Sequence, residues 1–473
     1  MTLKRLLILE FNLIAFCMVS FSQFSEPNLI STSIAGINGL EIKDIDNNGT
    51  LDIITAGFAI DQVSWFEFDG TNDLAPQQWI NANYNSPHFL QVADFDGDSL
   101  LDVAYGSELL GEIVWQKNLG GGVFGPPVQI YTFSSSFLSL VASDIDGDND
   151  VDLAYSIKSG AVDRIGMLEN NGVGTFTDQL IDITGGWPKN LQFHDMDLDN
   201  DLDMLVSFLS LNPLLNWYEA ASPGDFSNNI LNMIIPDISN LQVIDHAVGD
   251  IDGDMDLDVV ASLYDGDDNY IWLYENIGAG IFIAPQFLLT ASVNSYPFWD
   301  VIMEDLDGDL DLDIIAALTD LDQVVWWQNQ GQGVFSDSLV LFDQIDNPGL
   351  IQMKDLDNDL DLDIAITSST INGLYWAESN ININTGISKE EEELFSVHPN
   401  PVSNILNIQL NNEQQGEFQL EIYNGTGELI QRETNISTQH FSIELGEHPS
   451  GIYMVRMTNR KQTSYTKTVV LAR

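Results

Sequence analysis

One cysteine, Cys17, stands among 473 residues, and it lies in the apolar run at the N-terminus. Removal of that run leaves no thiol, which excludes disulfide staples and cysteine chemistry. Basic residues are nearly as scarce. Fifteen Lys and Arg face 72 Asp and Glu, for a formal net charge of −57. Between Gln23 and Ser379 there are 60 acids and six bases: Lys43, Lys117, Lys158, Arg164, Lys189 and Lys354. A body this acidic repels nucleic acid and anionic membrane, and cations are its natural partners. No apolar stretch after the N-terminal run is long enough to span a bilayer, so no transmembrane segment is expected in the mature chain. A Ser/His/Asp order, a Gly-rich phosphate loop and zinc-ligand spacing are also missing, and His88, His194 and His246 are the only histidines between 23 and 379. The chain is therefore expected not to be an enzyme.

Lys4 and Arg5 precede the apolar run Leu6–Phe21, and Ser20 and Ser22 put small residues three and one before Gln23. Residues 1–22 read as a cleaved secretory signal. Phe16 before Cys17 is wrong for a lipoprotein site. From Asn380 onward there are eleven Glu, seven bases and no Asp, which marks a composition boundary. The divisions are 23–379, an acidic linker 380–393 containing SKEEEE, and a tail 394–473.

What dominates the long segment is a repeat. The nine-residue copies are DIDNNGTLD from Asp44, DFDGDSLLD from Asp94, DIDGDNDVD from Asp144, DMDLDNDLD from Asp195, DIDGDMDLD from Asp250, DLDGDLDLD from Asp305 and DLDNDLDLD from Asp355, spaced 50, 50, 51, 55, 55 and 50 residues apart. A period near 50 signals a solenoid or a propeller. An apolar strand precedes each copy and another follows it. A third segment then ends in a Gly-containing turn, as in WQKNLGGGVF (Trp115–Phe124), MLENNGVGTF (Met167–Phe176), LYENIGAGIF (Leu273–Phe282) and WWQNQGQGVF (Trp326–Phe335), and a fourth strand follows. Four strands in each of seven units predict an all-β, seven-bladed propeller. The last unit lacks its fourth strand after Trp376. FSEPNLIST (Phe24–Thr32) matches FSDSLVLFD (Phe335–Asp343) in pattern, so the mature N-terminus is expected to supply that strand and close the ring.

Alternating aspartates on a strand would crowd like charges on one face, so the repeat is read as a loop around a cation. Calcium takes six to eight oxygens, mostly carboxylate and carbonyl, whereas magnesium prefers fewer protein ligands and more water. Side chains at positions 1, 3, 5 and 9 and the carbonyl at position 7 would serve. The sets are Asp44, Asp46, Asn48, Thr50 and Asp52; Asp94, Asp96, Asp98, Leu100 and Asp102; Asp144, Asp146, Asp148, Asp150 and Asp152; Asp195, Asp197, Asp199, Asp201 and Asp203; Asp250, Asp252, Asp254, Asp256 and Asp258; Asp305, Asp307, Asp309, Asp311 and Asp313; and Asp355, Asp357, Asp359, Asp361 and Asp363. Up to seven calcium ions are expected, one per blade. Each site held at ten times its dissociation constant adds about 1.4 kcal/mol, so seven would supply about 10 kcal/mol, the stability of a typical domain.

The motif and its following aliphatic strand resemble the FG-GAP/VCBS repeats, including the calcium-binding blades of integrin α-subunit propellers. That resemblance implies the propeller fold and calcium, and leaves the ligand open. The tail segments FSVHPNPVSNILNIQL (Phe395–Leu410), LEIYNGTGELI (Leu420–Ile430), GIYMVRM (Gly451–Met457) and KTVVL (Lys467–Leu471) resemble the C-terminal sorting domain of type IX secretion cargo in Bacteroidetes. That resemblance implies contact with the type IX machinery, export across the outer membrane, and release or surface attachment after removal of the tail. Read from its own pattern, the tail is about seven short alternating strands, a small β-sandwich.

The aspartate loops lie on one face of such a ring, so a glycan or protein ligand is expected on the other. Candidates there are the aromatics His88, Trp187, Tyr296 and Trp299, with Asp265, Asp267 and Asp268 nearby in one loop. A surface binding or adhesion module is the first reading. A lyase, glycosidase or lectin-like accessory protein is the alternative, because paired acids are everywhere and spacing cannot identify a catalytic pair.

Overall fold

The computed structural model describes residues 23–381, apart from loops 69–75, 108, 135, 159–162, 185, 210–213, 228–229, 237–240, 293–298 and 371, together with the strands between 395 and 471 and a few residues beside them. The expected signal at 1–22 and most of the linker lie outside the described residues. The chain divides into two compact units, one up to Ile383 and one from Asn384.

The first unit is built from seven four-stranded antiparallel sheets. Blade 1 runs Ile37–Lys43, Asp52–Gly57, Gln62–Glu67 and Gln78–Asn81, each strand paired with the next. The following five blades repeat this order. The first strands of successive blades pack side by side, and Pro348–Lys354 of blade 7 returns to Ile37–Lys43 of blade 1. There Gln352 Nε2 donates to the Leu40 carbonyl at 2.8 Å.

Sequence pattern follows position in the blade. The second strand is covered by neighbouring blades on both faces, so it is apolar almost throughout: Asp52–Gly57 (DIITAG), Asp203–Phe208 (DMLVSF) and Asp313–Leu318 (DIIAAL) are buried at every residue. Blade 1 residues Ile54 and Trp65 pack with Val92, Val103 and Tyr105 of blade 2, and the same sharing recurs around the ring. Outer strands face water, as Val128–Thr132 does. Small residues appear where backbones approach. A Cβ on Gly122, Gly174 or Gly280 would sit 2.2–2.4 Å from the ring of Trp65, Trp115 or Trp217, and each glycine also has positive φ.

Most first strands carry a register shift, as at His88/Gln91, Phe137/Ser139 and Val243/Asp245. The shift re-aims one polar side chain at the next blade. Gln91 Oε1 accepts from the Ala142 N–H (2.9 Å), Ser139 Oγ from Leu191 (3.1 Å), and Asp245 Oδ2 from Val301 (3.1 Å).

The ring closes as the sequence pattern anticipates. Asn28–Ser31 pairs antiparallel with Gly373–Ala377, Asn28 opposite Trp376. Phe24 bridges Ser379, the Ser25 N–H donates to the Glu378 carbonyl at 2.8 Å, and the Asn380 N–H to the Gln23 carbonyl at 2.7 Å. Phe24 is buried against Phe342 of blade 6.

The tail unit has seven described strands in two sheets. Phe395–His398, Ile405–Leu410 and His440–Glu444 form one. Leu429–Ile436, Phe418–Asn424, Gly451–Thr458 and Ser464–Leu471 form the other, in that order. Both sheets contribute to one core, with Leu406, Ile408 and Ile443 from the first and Leu420, Ile422, Val455 and Met457 from the second.

Candidate metal centres

Each nine-residue copy is a loop between the first and second strands of its blade. Blade 5 shows the full wrapping. Asp250 Oδ1 accepts from the N–H groups of Gly253 (2.9 Å) and Asp254 (3.1 Å), and its Oδ2 from Met255 (3.0 Å). Asp252 Oδ1 accepts from Asp254 N–H (3.2 Å), and Asp254 Oδ1 from Asp256 N–H (3.0 Å). Asp44, Asp195, Asp305 and Asp355 hold their loops in the same way.

The ninth-position aspartate anchors the loop to its blade. Asp258 Oδ2 accepts from Ile251 N–H at 3.0 Å and Oδ1 from Asn276 N–H at 2.7 Å. Asp152, Asp203, Asp313 and Asp363 do likewise. Asp52 makes the first bond, but its Oδ1 has no hydrogen-bond partner. These carboxylates are buried, and burial pushes them up to about 6 at Asp102 and Asp152 and about 7 at Asp52, Asp203, Asp258, Asp313 and Asp363. Asp146, Asp197, Asp252, Asp307 and Asp357 also rise, through burial first and neighbouring carboxylates next. Asp361 is pushed up to about 8 by burial and by Asp359.

These donors fit a hard cation. Three carboxylate oxygens come within 4.8 Å of one another in Asp44/Asp46/Asp52, Asp94/Asp96/Asp102, Asp144/Asp146/Asp152, Asp195/Asp197/Asp199 and Asp250/Asp252/Asp254. Asp96, Asp144, Asp197, Asp307 and Asp361 each keep one buried oxygen with no hydrogen-bond partner. Such groups are costly unless something compensates them. Backbone strain points the same way. The sixth loop position has positive φ at Met255 (79°), Leu310 (77°) and Leu360 (82°), and these side chains are 75%, 89% and 71% exposed. Bulky residues pay about 1–2 kcal/mol for that conformation, and packing repays little of it at such exposure.

Two roles were missed in the sequence reading. One is an asparagine just after the third strand. Asn118 Nδ2 donates to the carbonyls of Ile45, in the blade 1 loop, and Leu101, in its own, at 2.7 and 2.9 Å. Asn170 and Asn329 repeat this, so each ties its own loop to the loop of the preceding blade. The residue recurs in KNLG, ENNG, ENIG and QNQG, where it passes for turn chemistry. The other is the residue just before it. In blade 2 this is Lys117, whose ammonium pairs with Asp96 and, at 2.9 Å, with Asp98.

The candidate ligand residues do not form one cluster among the described residues. His88 stacks on Phe58 with centroids 5.0 Å apart, and its Nδ1 contacts the Ser86 carbonyl at 2.9 Å. Trp187 is 40% exposed, with Lys158 Nζ 3.1 Å above its ring and its N–H bonded to Asp163. Trp299 begins the first strand of blade 6. Tyr296 lies outside the described residues. Asp265 is occupied in its own turn, accepting from the N–H groups of Asp267 and Asp268 and from the Tyr270 hydroxyl.

A family model described as FG-GAP-like repeat matches residues 44–105, 94–155, 250–316 and 305–366, which span the loops of blades 1, 2, 3, 5, 6 and 7. Those stretches of the ring are FG-GAP-like repeats, and the Asp195–Asp203 loop of blade 4 lies outside them. A second family model, the secretion system C-terminal sorting domain, matches residues 396–472. The chain therefore carries a type IX sorting tail, which marks it for export to the cell surface. Among the described residues no helix is long and apolar enough to cross a membrane. No curated protein matches the chain. Among solved structures, BBS1N in its complex with ARL6DN is 13% identical, with TM-score 0.52, and the alignment covers 77% of this chain and 99% of that one. It shares the fold of the FG-GAP ring. An Agrocybe aegerita lectin that recognises non-reducing terminal N-acetylglucosamine is 20% identical over 65% of this chain and 80% of its own, with TM-score 0.49. The extracellular domain of the putative hybrid two-component system BT4673 from B. thetaiotaomicron is 10% identical over 95% of this chain and 58% of its own, with TM-score 0.46.

Proposed function

We propose that the FG-GAP ring is a calcium-stabilised, non-enzymatic binding module that presents a surface to a glycan or protein outside the cell. The carrying observation is the set of buried, unpartnered carboxylate oxygens in the loops. Calcium would supply the missing countercharge and knit each loop. Asp144, Asp146, Asp148 and Asp152 would hold it in blade 3, with the Asp150 carbonyl, and the equivalent residues elsewhere. The role is structural: a fixed loop holds its own blade and, through Asn118, Asn170 and Asn329, the blade before it.

The arrangement with most catalytic promise is a central cavity of about 440 Å³, lined by Glu41, His194, Asp245, His246 and Asp300 among others. Burial and the Asp245 carboxylate push the Asp300 carboxyl well above its usual range, and burial raises Asp245 as well, opposed by its bonds to Asp300 and the Val301 N–H and by Lys189. Both carboxyls are spent on blade-to-blade bonds, Asp245 with Val301 N–H and Asp300 with Ile351 N–H at 2.7 Å. Burial pushes His246 down to about 3, so it is neutral at physiological pH. This chemistry supports ring assembly rather than turnover. Glycan and protein arrays probed with the calcium-loaded protein test the reading, beside a turnover panel of polysaccharides. Saturable binding without turnover is expected. Turnover would replace the reading with the polysaccharide-acting one.

A further inference from the structure

The residue at the end of the third strand faces the metal loop, and in blades 2, 3, 4, 6 and 7 it acts on the third-position aspartate. In blade 1 it is Glu67, whose Oε1 accepts from Asn48 Nδ2 at 3.2 Å. In blades 3, 4 and 7 it is Glu169, Glu219 and Glu378, whose carboxylates repel those of Asp146, Asp197 and Asp357. Asp146 and Glu169 line one cavity. Blade 5 has Glu275 at this place. Blade 6 has Gln328, whose Nε2 donates to Asp307 Oδ2 at 2.5 Å. Blade 2 has Lys117. Its ammonium bridges Asp96 and Asp98, the third and fifth loop positions.

We propose that Lys117 is a built-in cation that takes the place of calcium in blade 2, and that the residue at this position decides whether a loop binds metal. This rests on the calcium reading above. An ammonium is a hard, compact cation, and Lys carries it on a stem long enough to reach the loop from the neighbouring strand. It already pairs with one oxygen each of Asp96 and Asp98, two of the carboxylates that would ligate a metal. A divalent ion entering the loop would meet that positive charge and would have to displace it. Glutamate at the same place does the opposite, adding a carboxylate beside the site, and calcium affinity rises with ligand charge. Among the described residues Lys117 is the one base in ion-pair contact with a loop aspartate; Arg164 and Lys354 pair with Asp178 and Glu304 instead. The blade with the cation supplied by the chain is thus set for permanent order, and the others for order on condition of calcium.

Equilibrium dialysis of the full chain with radioactive calcium counts the sites. The wild-type count should be at most six, Lys117→Glu should raise it by one, and Glu169→Lys should lower it by one. A wild-type count of seven, or a folded Lys117→Glu protein with an unchanged count, overturns the proposal. Should Lys117→Glu not fold, Glu169→Lys decides alone: loss of one ion supports the inference and an unchanged count overturns it. If neither wild type nor variants bind calcium, the calcium reading itself has failed, an outcome distinct from a count of seven.

Discussion

The ring and the sorting tail are both all-β and both lack thiols, yet their sequences hold them together by different means. The ring holds every aspartate of the chain, in a segment with 60 acids against six bases, and places most of those aspartates in seven loops. The tail has no Asp, and its buried Glu421 is paired with Arg432 and bonded to Tyr423, which hold the carboxyl below its usual range. The tail is an ordinary sandwich around one apolar core. The ring has extensive apolar packing too, but its carboxylates raise a debt that packing does not discharge. Charge without a partner makes a fold conditional on its medium, and charge with a partner does not.

Chelation should separate the two units most. Removing calcium from the full chain is expected to lower the ring's melting temperature by about 10 °C or more and to leave the tail's transition in place. Calorimetry with and without chelator reads this directly, and an unmoved ring transition would break the comparison.

Deletion of Phe24–Thr32 comes next. It removes the strand paired with Gly373–Ala377 and the buried Phe24, a loss of about 3–5 kcal/mol from that side chain alone. Limited proteolysis should then cut first in blades 1 and 7. Resistance equal to that of the intact chain would show that closure lies elsewhere.

The pH dependence of the chelated ring should run against the usual acid lability. The ninth-position aspartates sit near 6–7 in the fold, against about 3.9 in the unfolded chain. Between those values the folded ring binds more protons than the unfolded chain, so stability is fully present below about pH 4 for these groups and is lost as pH rises through 6–7. Chelated protein is therefore expected to melt a few degrees lower at pH 8 than at pH 5, and calcium should flatten or reverse that slope. Melts at both pH values with and without calcium check the sign.

The smallest effect is expected in blade 1. Asn48 puts an amide where other loops carry a carboxylate, and its Oδ1 already accepts from the N–H and hydroxyl of Thr50. Asn48→Asp should tighten the site about three- to tenfold, and Asp148→Asn in blade 3 should loosen it similarly. Calcium titrations that show no tightening would mean that carboxylate repulsion from Asp46 and Glu67 outweighs ligand charge.

The blades, the missing strand and its substitute at the other end of the chain were legible because they are periodic. A 50-residue repeat with alternating patterns allows few architectures, and a unit short of one strand advertises the gap. The position of the loops was legible for the same reason: each nine-residue copy falls between two apolar strand patterns, and the structure puts it between the first and second strands of its blade. The ligand face was not. His88 and Trp187 were candidate ligand residues; His88 is packed on Phe58, and Trp187 is covered in part by Lys158. An aromatic in a loop looks alike in sequence whether it faces water or a neighbouring blade.

The sequence alone therefore determined what recurs locally: strand order, the place of the aspartate loops, the charge contrast and the sorting tail. Only the tertiary structure decided what depends on a neighbour. It placed Asn118, Asn170 and Asn329 across blade boundaries, aimed Gln91, Ser139 and Asp245 at the following blade, and brought Lys117 into a loop some twenty residues earlier in the chain. The physical reason is reach. A strand pattern is written in adjacent residues, whereas the partner of a charge is whichever group the folded backbone brings within about 3–4 Å.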